Sequence, residues 1–540
     1  MAGQLSALAG DAPVDRRTLL KAAASLPALA VPRTARATVA STLRFVPVID
    51  LSYLDPVFST AQVTRNHSYM VFDTLYGMDT ALAIHPQMAE GHAVEADGLL
   101  WTITLRAGLL WHDGAPVLGR DCAASIRRWA RRDALGAALM DATDEVDAPT
   151  DRTIRFRLKR PFPMLTYALG KGAVNMCAMM PERLAATDAF KQIPEVVGSG
   201  PYRYLADERV SGARNAYARF DKYLPREGGT ANWTSGPKVA YFDRVEWTTM
   251  PDLSTGASAL MAGEQDWLEI APHDLMPQLR RNPNLRTAIL DPLGYTCAMR
   301  VNHLQAPFDN PGIRRALLGA IDQTAFMNAV VGTDPQYQHT PLGFFCPGTP
   351  MASDAGLDVF TGPRDYDRVR RELKAAGYAG EKVLLMVPAN SLAQKPLGDV
   401  AADCMRKAGL NVEYAAMEFG SVQTRQLLKG PVSEGDWSAY VANFQGMDWL
   451  NPIGHAGLRA VGEAGSPGWY RSERMEALRA GWLSAPDLAA QQRIARDIQL
   501  MALNEAAYYP IGQYLQPTAY RSSITGVLNG FATFWSVRPS

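Results

Sequence analysis

The sequence predicts an α/β protein with more than one lobe, and three observations carry that reading. The chain has 540 residues, more than a single hydrophobic core accommodates. Its second half alternates strand-like and helix-like segments, the pattern of a mostly parallel sheet covered by helices. Hydrophobic residues make up 47% and charged residues 20%, ordinary proportions for a folded protein in water. Lys+Arg and Asp+Glu are equal at 54 each, so the chain has no basic footprint and no nucleic-acid partner is expected.

Residues 1–37 read as an export signal. Arg16 and Arg17 precede Leu19, Leu20 and Lys21, and an apolar run from Ala22 to Val31 follows. Ala35-Arg36-Ala37 then supplies small residues for cleavage after Ala37. An arginine pair ahead of a short apolar run is the address of the twin-arginine export route, with Asp15 and Leu20 departing from its commonest form. The run is too short to span a bilayer, so a free periplasmic protein is expected. The five cysteines (Cys122, Cys177, Cys297, Cys346 and Cys404) are odd in number, widely spaced and without a C-x-x-C pair, and no structural disulfide is expected.

After the signal, "STLRFVPVID" is a strand running into a loop at Asp55-Pro56. "NHSYMVFDTLYGMD" sets Tyr69, Val71, Phe72, Leu75 and Tyr76 at helical spacing up to Gly77. "LLWTITLRAG" alternates as a strand, and Gly108 and Asp113-Gly114 mark turns. "RDCAASIRRWARRD" is an amphipathic helix with Cys122, Ile126 and Trp129 inward. "RTIRFRLKRPFP" alternates again, and "VGSGPYRY" is a glycine turn opening a strand. Arg214 to Gly236 shows no periodicity and reads as surface loop. "VEWTTMPDLSTGASALMAGEQDWLEI" reads strand, helix, strand. From Tyr295 onward, "YTCAMRV", "KVLLMVP" and "LNVEYAAM" are strands with helices between them.

His112 beside Asp113, with Asp121 nine residues on, has the composition of an acid–base pair or half a metal site. The spacing favours architecture. Asp113-Gly114 suits a tight turn, and Asp121 falls in the first turn of a helix, where its charge meets the positive end of the dipole. H-E-x-x-H, G-x-S-x-G and a Walker loop are all absent, and no two of the eight histidines stand at metal spacing. No catalytic residue, metal or cofactor is expected.

The order of short motifs resembles one family along the mature chain. These are Leu54-Asp55-Pro56, "VFDTLY", "LRAGLLWHDGAPV" with Asp121, "VGSGPYRY", "LMAGEQDW", Asn302 with "PFDNPGIRRALLGAIDQTAF", and Asp448 with Asn451-Pro452. Together they resemble the solute-binding proteins of peptide- and nickel-type ABC importers, solute-binding protein family 5. That resemblance implies a two-lobed α/β periplasmic-binding-protein fold. Lobe I would take 38–294 and 512–540, with an extra subdomain at about 78–197, and lobe II would take 295–511. Two strands would cross between them, near Tyr295 to Asn302 and near Tyr509 to Gln516, and a ligand would sit in the cleft.

It also implies a site. Asp448, in "NFQGMDWLNPIGH", resembles the family acid that pairs with a peptide's α-amino group, although Asn451-Pro452 stands where the family has Asp-Pro. Trp449 and Trp437 would stack on the ligand. Phe58, Ser59 and Thr60 would border it, with Tyr76 close by and Tyr295, Arg300 and Asn302 on the crossing strand. The expected function is a monomeric carrier of a di- or oligopeptide, or a similar amine-bearing solute, that delivers to an inner-membrane ABC permease. A nickel or metal-chelate carrier on the same fold and a secreted hydrolase are the alternatives. Changing Arg16 and Arg17 together to lysine is expected to leave precursor in the cytoplasm, because the export receptor reads guanidinium pairs. Normal periplasmic yield of that variant, by fractionation and blotting, would assign export to the general secretory route.

Overall fold

The computed structural model describes residues 41–434 and 436–540, so the export segment lies outside the described residues. Strand β1 (Thr42–Val46) begins the first sheet. A short antiparallel pair, β2 (Tyr76–Met78) and β3 (Ile84–Pro86), follows. Next come β4 (Ala89–Glu95), β5 (Leu100–Leu105), β6 (Thr143–Thr150) and β7 (Thr153–Leu158), which form a separate antiparallel sheet in the order β4-β5-β7-β6. The chain then returns to the first sheet with β8 (Tyr202–Tyr204), β9 (Arg214–Arg219), β10 (Arg244–Thr248), β11 (Trp267–Leu268) and β12 (Leu285–Ala288).

It passes to a second sheet through residues 289–294. That sheet holds β13 (Tyr295–Val301), β14 (Gln338–His339), β15 (Lys382–Pro388), β16 (Asn411–Met417), β17 (Ala439–Gln445) and β18 (Tyr509–Tyr514). Residues 515–517 lead back to β19 (Thr518–Arg521) in the first. The orders are β12-β19-β11-β1-β10-β9-β8 and β14-β18-β13-β17-β15-β16. Gly512 to Tyr514, expected in the first lobe, pair with Cys297 to Tyr295 in the second sheet, so sheet membership changes after Tyr514.

Both sheets are mixed, which corrects the expectation of a mostly parallel one. β1 is parallel to β10 and β11, and β15 is parallel to β16 and β17, while the remaining pairs are antiparallel. The helix Gln394–Lys407, stopped by Gly409 at positive φ, makes the crossover between the parallel β15 and β16, and the helix Tyr366–Ala375, stopped by Gly377, leads into β15. The segment from Arg214 is a second correction. It forms β9, because Asn215, Ala216 and Tyr217 pair with β10 and bury against the core. The helix before Phe72 is the third. It spans Gln62–Val71 and closes at Phe72, whose backbone is extended, so Tyr76 belongs to β2.

Aromatic rings fill the first sheet's core. Phe45 meets Trp247, Trp267 and Phe534 at centroid distances of 5.4, 5.2 and 4.9 Å. Cys122, Ile126 and Trp129 are all fully buried on the helix Gly119–Ala130, as its spacing predicts. Asp121 accepts from the Leu118 and Glu182 backbone amides and from the Trp111 indole, so one carboxylate caps two helices. His112 bridges the turn to the glycine segment, with Nε2 on the Gly200 carbonyl at 3.0 Å and Nδ1 accepting from the Gly198 amide. Burial pushes the imidazole down to about 4, so it is a neutral brace. All five cysteines are buried and free, and burial pushes the Cys346 and Cys404 thiols up to about 12.

Two buried ion pairs pin loops to this frame. Asp55 accepts a bidentate Arg128 guanidinium, at 2.7 Å to Oδ2, together with the Val57 and Ile193 amides. Lys238 reaches Asp73 at 2.7 Å. Removing one partner of such a pair leaves the other charge buried and uncompensated, at a cost of about 3–5 kcal/mol. Asp55→Asn is therefore expected to lose that much in equilibrium urea unfolding, and Asp55→Asn with Arg128→Met to lose less. Equal stability of wild type and the single variant would show the pair to be dispensable.

Candidate functional site

Strand direction fixes where a ligand can lie. β17 runs towards Gln445 and the turn Gly446–Trp449, and β15 and β16 run the same way, so their carboxyl ends share an edge. In mixed and parallel sheets that edge is where loops gather functional groups. At the meeting point of the sheets, next to both passages of the chain, a cavity of ≈ 50 Å³ is lined from the first sheet by Trp267 and Glu269 and from the second by Tyr295 and Gln445. Gln62, Arg65, Asp291 and Phe531 complete its polar and aromatic wall.

Arg65 is its centre. It sits on the helix Gln62–Val71, 4% exposed, with its guanidinium 3.9 Å from the Phe531 ring centroid. It donates to Asn66 Oδ1 and, across to the second sheet, to Gln445 Oε1. Asn66 in turn donates to Glu269 at 2.6 Å, and Glu269 also accepts from Gln62 and the Val48 amide. Burial lowers the Arg65 pKa, and the nearby Tyr295, Asp291 and Glu269 oppose that. Burial raises Glu269 and Asp291 in turn.

Asp448 lies in the turn after β17, and a close approach holds that turn. The Gly446 amide donates to the Gly294 carbonyl at 2.8 Å, and a Cβ on Gly446 would stand 2.1 Å from the Leu293 carbonyl oxygen. Only glycine fits there. Gly294 adopts φ +48 and would likewise meet the Tyr514 carbonyl, so both passages and the Asp448 turn converge on two glycines. Burial pushes the Asp448 carboxyl up to about 6, while Lys171 and Arg65 act to lower it. Lys171 is already paired with Asp133 at 2.7 Å. Among the described residues no cation lies within ion-pair distance of Asp448. Asn451 donates to the Tyr167 hydroxyl at 3.3 Å, a further contact from the turn to the first part of the chain.

These features agree with what the sequence is similar to. The model of bacterial extracellular solute-binding proteins, family 5, matches residues 83–454. A relative from Sinorhizobium fredii, described as "Probable peptide ABC transporter periplasmic-binding protein y4tO", is 34% identical over 522 residues, covering 95% of this chain and 97% of the relative. The chain belongs to solute-binding protein family 5. Solved structures agree on the fold. The periplasmic binding protein AgaA from A. tumefaciens R10, in complex with agropinic acid, superposes with TM-score 0.76 at 21% identity, covering 92% of this chain and 99% of that one. DppA from Helicobacter pylori, in complex with peptide STSA, gives TM-score 0.76 at 20% identity, covering 92% and 98%.

Within this family 5 fold, the residues expected from sequence divide into two groups. Asp448 and Tyr295 are brought together at the meeting of the sheets, and Tyr295 stacks on Tyr514 with centroids 5.2 Å apart. Phe58, Ser59 and Thr60 lie in the loop at the carboxyl end of β1. Ser59 is occupied with the Ala61 amide and Thr64, Phe58 packs on Tyr53, and Thr60 is exposed. Trp449 is buried at the end of the turn and stacked on His455 at 4.8 Å.

The others bond within a single lobe. Tyr76 is buried and bonds His92. Arg300 donates inside the second lobe to Ser466 and the Pro467 carbonyl. Asn302 ties Trp437 to Leu304 through its amide, and Trp437 is core against Trp469 and Tyr440. Each has its polar group committed within its own lobe. Arg65, Glu269, Asp291, Gln445 and Lys171 were not foreseen. A carboxylate closing the apolar run "DWLEI" and an arginine within a helix that buries completely carry the signal that marks such groups. Among the described residues no three His, Cys, Asp or Glu side chains assemble as a metal-holding group, and no helix is long and apolar enough to cross a membrane.

The raised Asp448 carboxyl makes a prediction with a definite sign. A group that holds its proton more tightly folded than unfolded contributes stability that is full below about pH 4 and lost as pH rises through about 6. Asp448→Asn removes that loss. The ligand-free variant is expected to exceed wild type by up to about 3 kcal/mol at pH 7.5 and to match it at pH 4. Thermal melts at the two pH values check this, and a variant less stable at pH 7.5 would place Asp448 in the structural framework.

Proposed function

We propose that the chain is the ligand-capturing subunit of an ABC importer that binds a di- or oligopeptide, or a similar amine-bearing solute, between its lobes. It hands the ligand unchanged to an inner-membrane permease. One observation carries the reading: Asp448 presents a half-buried carboxylate with no cation in contact, at the place where the two sheets meet. An enclosed ammonium is the group such a carboxylate stabilises best, since low local dielectric strengthens the pair. The 34% relative described as a probable peptide carrier supports the ligand class.

The reading includes a periplasmic monomer whose leader is removed after Ala37. Lobe II runs from Tyr295, and the passages at 289–294 and 515–517 serve as the hinge, where a few backbone angles open the cleft. Tyr295 borders the ligand's amine end, and Phe58, Ser59 and Thr60 form the rim of the first lobe. Protein purified from its native host and denatured is expected to release peptide-like amines by mass spectrometry, and a nickel complex there would instead favour a metal-chelate carrier.

Asp448→Asn keeps the shape of the side chain and removes its charge. Losing one partner of a desolvated ion pair costs roughly 2–5 kcal/mol, or about 30- to several-thousand-fold in affinity. N-acetylation of the peptide is expected to cost the wild type a similar amount, and the two losses should not add. Calorimetry with free and acetylated peptide on both proteins reads this directly. A variant that binds the free peptide as tightly as wild type would end the role given to Asp448.

A further inference from the structure

The cavity beside Asp448 contains more negative than positive charge, and its walls are aromatic. Trp267, Tyr295 and Phe531 supply ring faces or edges, and Glu269 and Asp291 supply two carboxylates. The cavity has one cation of its own, Arg65, and that guanidinium is spoken for by Asn66, Gln445 and the Phe531 ring. Glu269 is saturated by Val48, Gln62 and Asn66. Asp291 is different. The hydrogen bonds to its side chain are local ones from the Leu293 and Gly294 amides, and among the described residues no cation stands within ion-pair distance. Carboxylate and aromatic surface together form the environment that holds organic cations.

Size and position agree. The ≈ 50 Å³ space admits the tip of a side chain, such as an ammonium with a methylene or two, and not a whole residue. Gln445, which lines the cavity, stands three residues before Asp448 on the same turn, and Tyr295 is near both Asp448 and Asp291. One ligand can therefore reach both carboxylates. Resting on the peptide reading above, we propose that the cavity is a second cation subsite, in which Asp291 and the aromatic wall take the basic side chain of a ligand whose amine is held by Asp448. The preferred ligands are then dicationic, such as short peptides with lysine or ornithine.

Matched dipeptides test this without knowledge of the natural ligand. Calorimetry would compare Lys-Ala with Nle-Ala and Ala-Lys with Ala-Nle, which differ in one ammonium, on wild type and on Asp291→Asn, with melting curves confirming that the variant is folded. In at least one pair the lysine peptide is expected to bind wild type about tenfold or more tightly than its norleucine partner. Asp291→Asn should erase that preference and leave the norleucine peptide within about twofold. Equal binding within both pairs on wild type would overturn the subsite while leaving the peptide reading intact. So would a variant that weakens lysine and norleucine peptides alike. If none of the four binds, the peptide reading fails and the subsite with it.

Discussion

A guanidinium removed from water where two sheets meet has to be satisfied from both, and Arg65 meets that requirement with Asn66 on one side and Gln445 on the other. The rest of the cleft follows from holding this charge. Phe531 covers its face, Asn66 passes the link on to Glu269, and Glu269 fixes Val48 at the carboxyl end of β1. A single buried cation thus sets the spacing between a loop of the first lobe and the strand that leads to Asp448. Leucine at position 65 would bury more easily and would specify none of this.

The carboxylates wholly or partly removed from water fall into two kinds. Asp55 with Arg128 and Asp73 with Lys238 are completed pairs, each carboxylate also receiving backbone or hydroxyl donors. They hold loops in place and leave no valence unsatisfied. Asp448 and Asp291 are carboxylates set among protein atoms without a contacting cation, and burial raises both. A protein selected for stability alone would pair or discard them. Their place at the junction of the lobes, and not within either lobe, sets them apart from the paired charges of the framework.

Much of this fold was legible in the sequence because its signals are local. The glycine-stopped helices around β15 and β16 and the buried stripe of Cys122, Ile126 and Trp129 announce themselves within a dozen residues. β9 did not, because its Tyr217 and Asn215 gain meaning only from partners on β8 and β10. The site was partly legible for the same reason. Asp448 stands in a recognisable motif, whereas Arg65, Glu269 and Asp291 are separated by more than 200 residues at the extremes and meet only once the first sheet has formed and the chain leaves it through 289–294. Trp437 and Asn302 show the converse, since conspicuous polar and aromatic residues beside a strand are most often consumed by the lobe that contains them.

The five buried thiols bear on how the molecule survives where it works. Disulfide exchange proceeds through the thiolate, and at neutral pH a thiol with pKa about 12, as at Cys346 and Cys404, is ionised roughly once in 10⁴ to 10⁵ molecules. Once the chain is folded, burial leaves these thiols poor partners for disulfide exchange despite their odd number. The vulnerable interval is the unfolded one, when any of the five could pair wrongly. A chain that completes folding in a reducing compartment passes that interval before it meets an oxidising one, and a packed core can then do the work that disulfides do elsewhere.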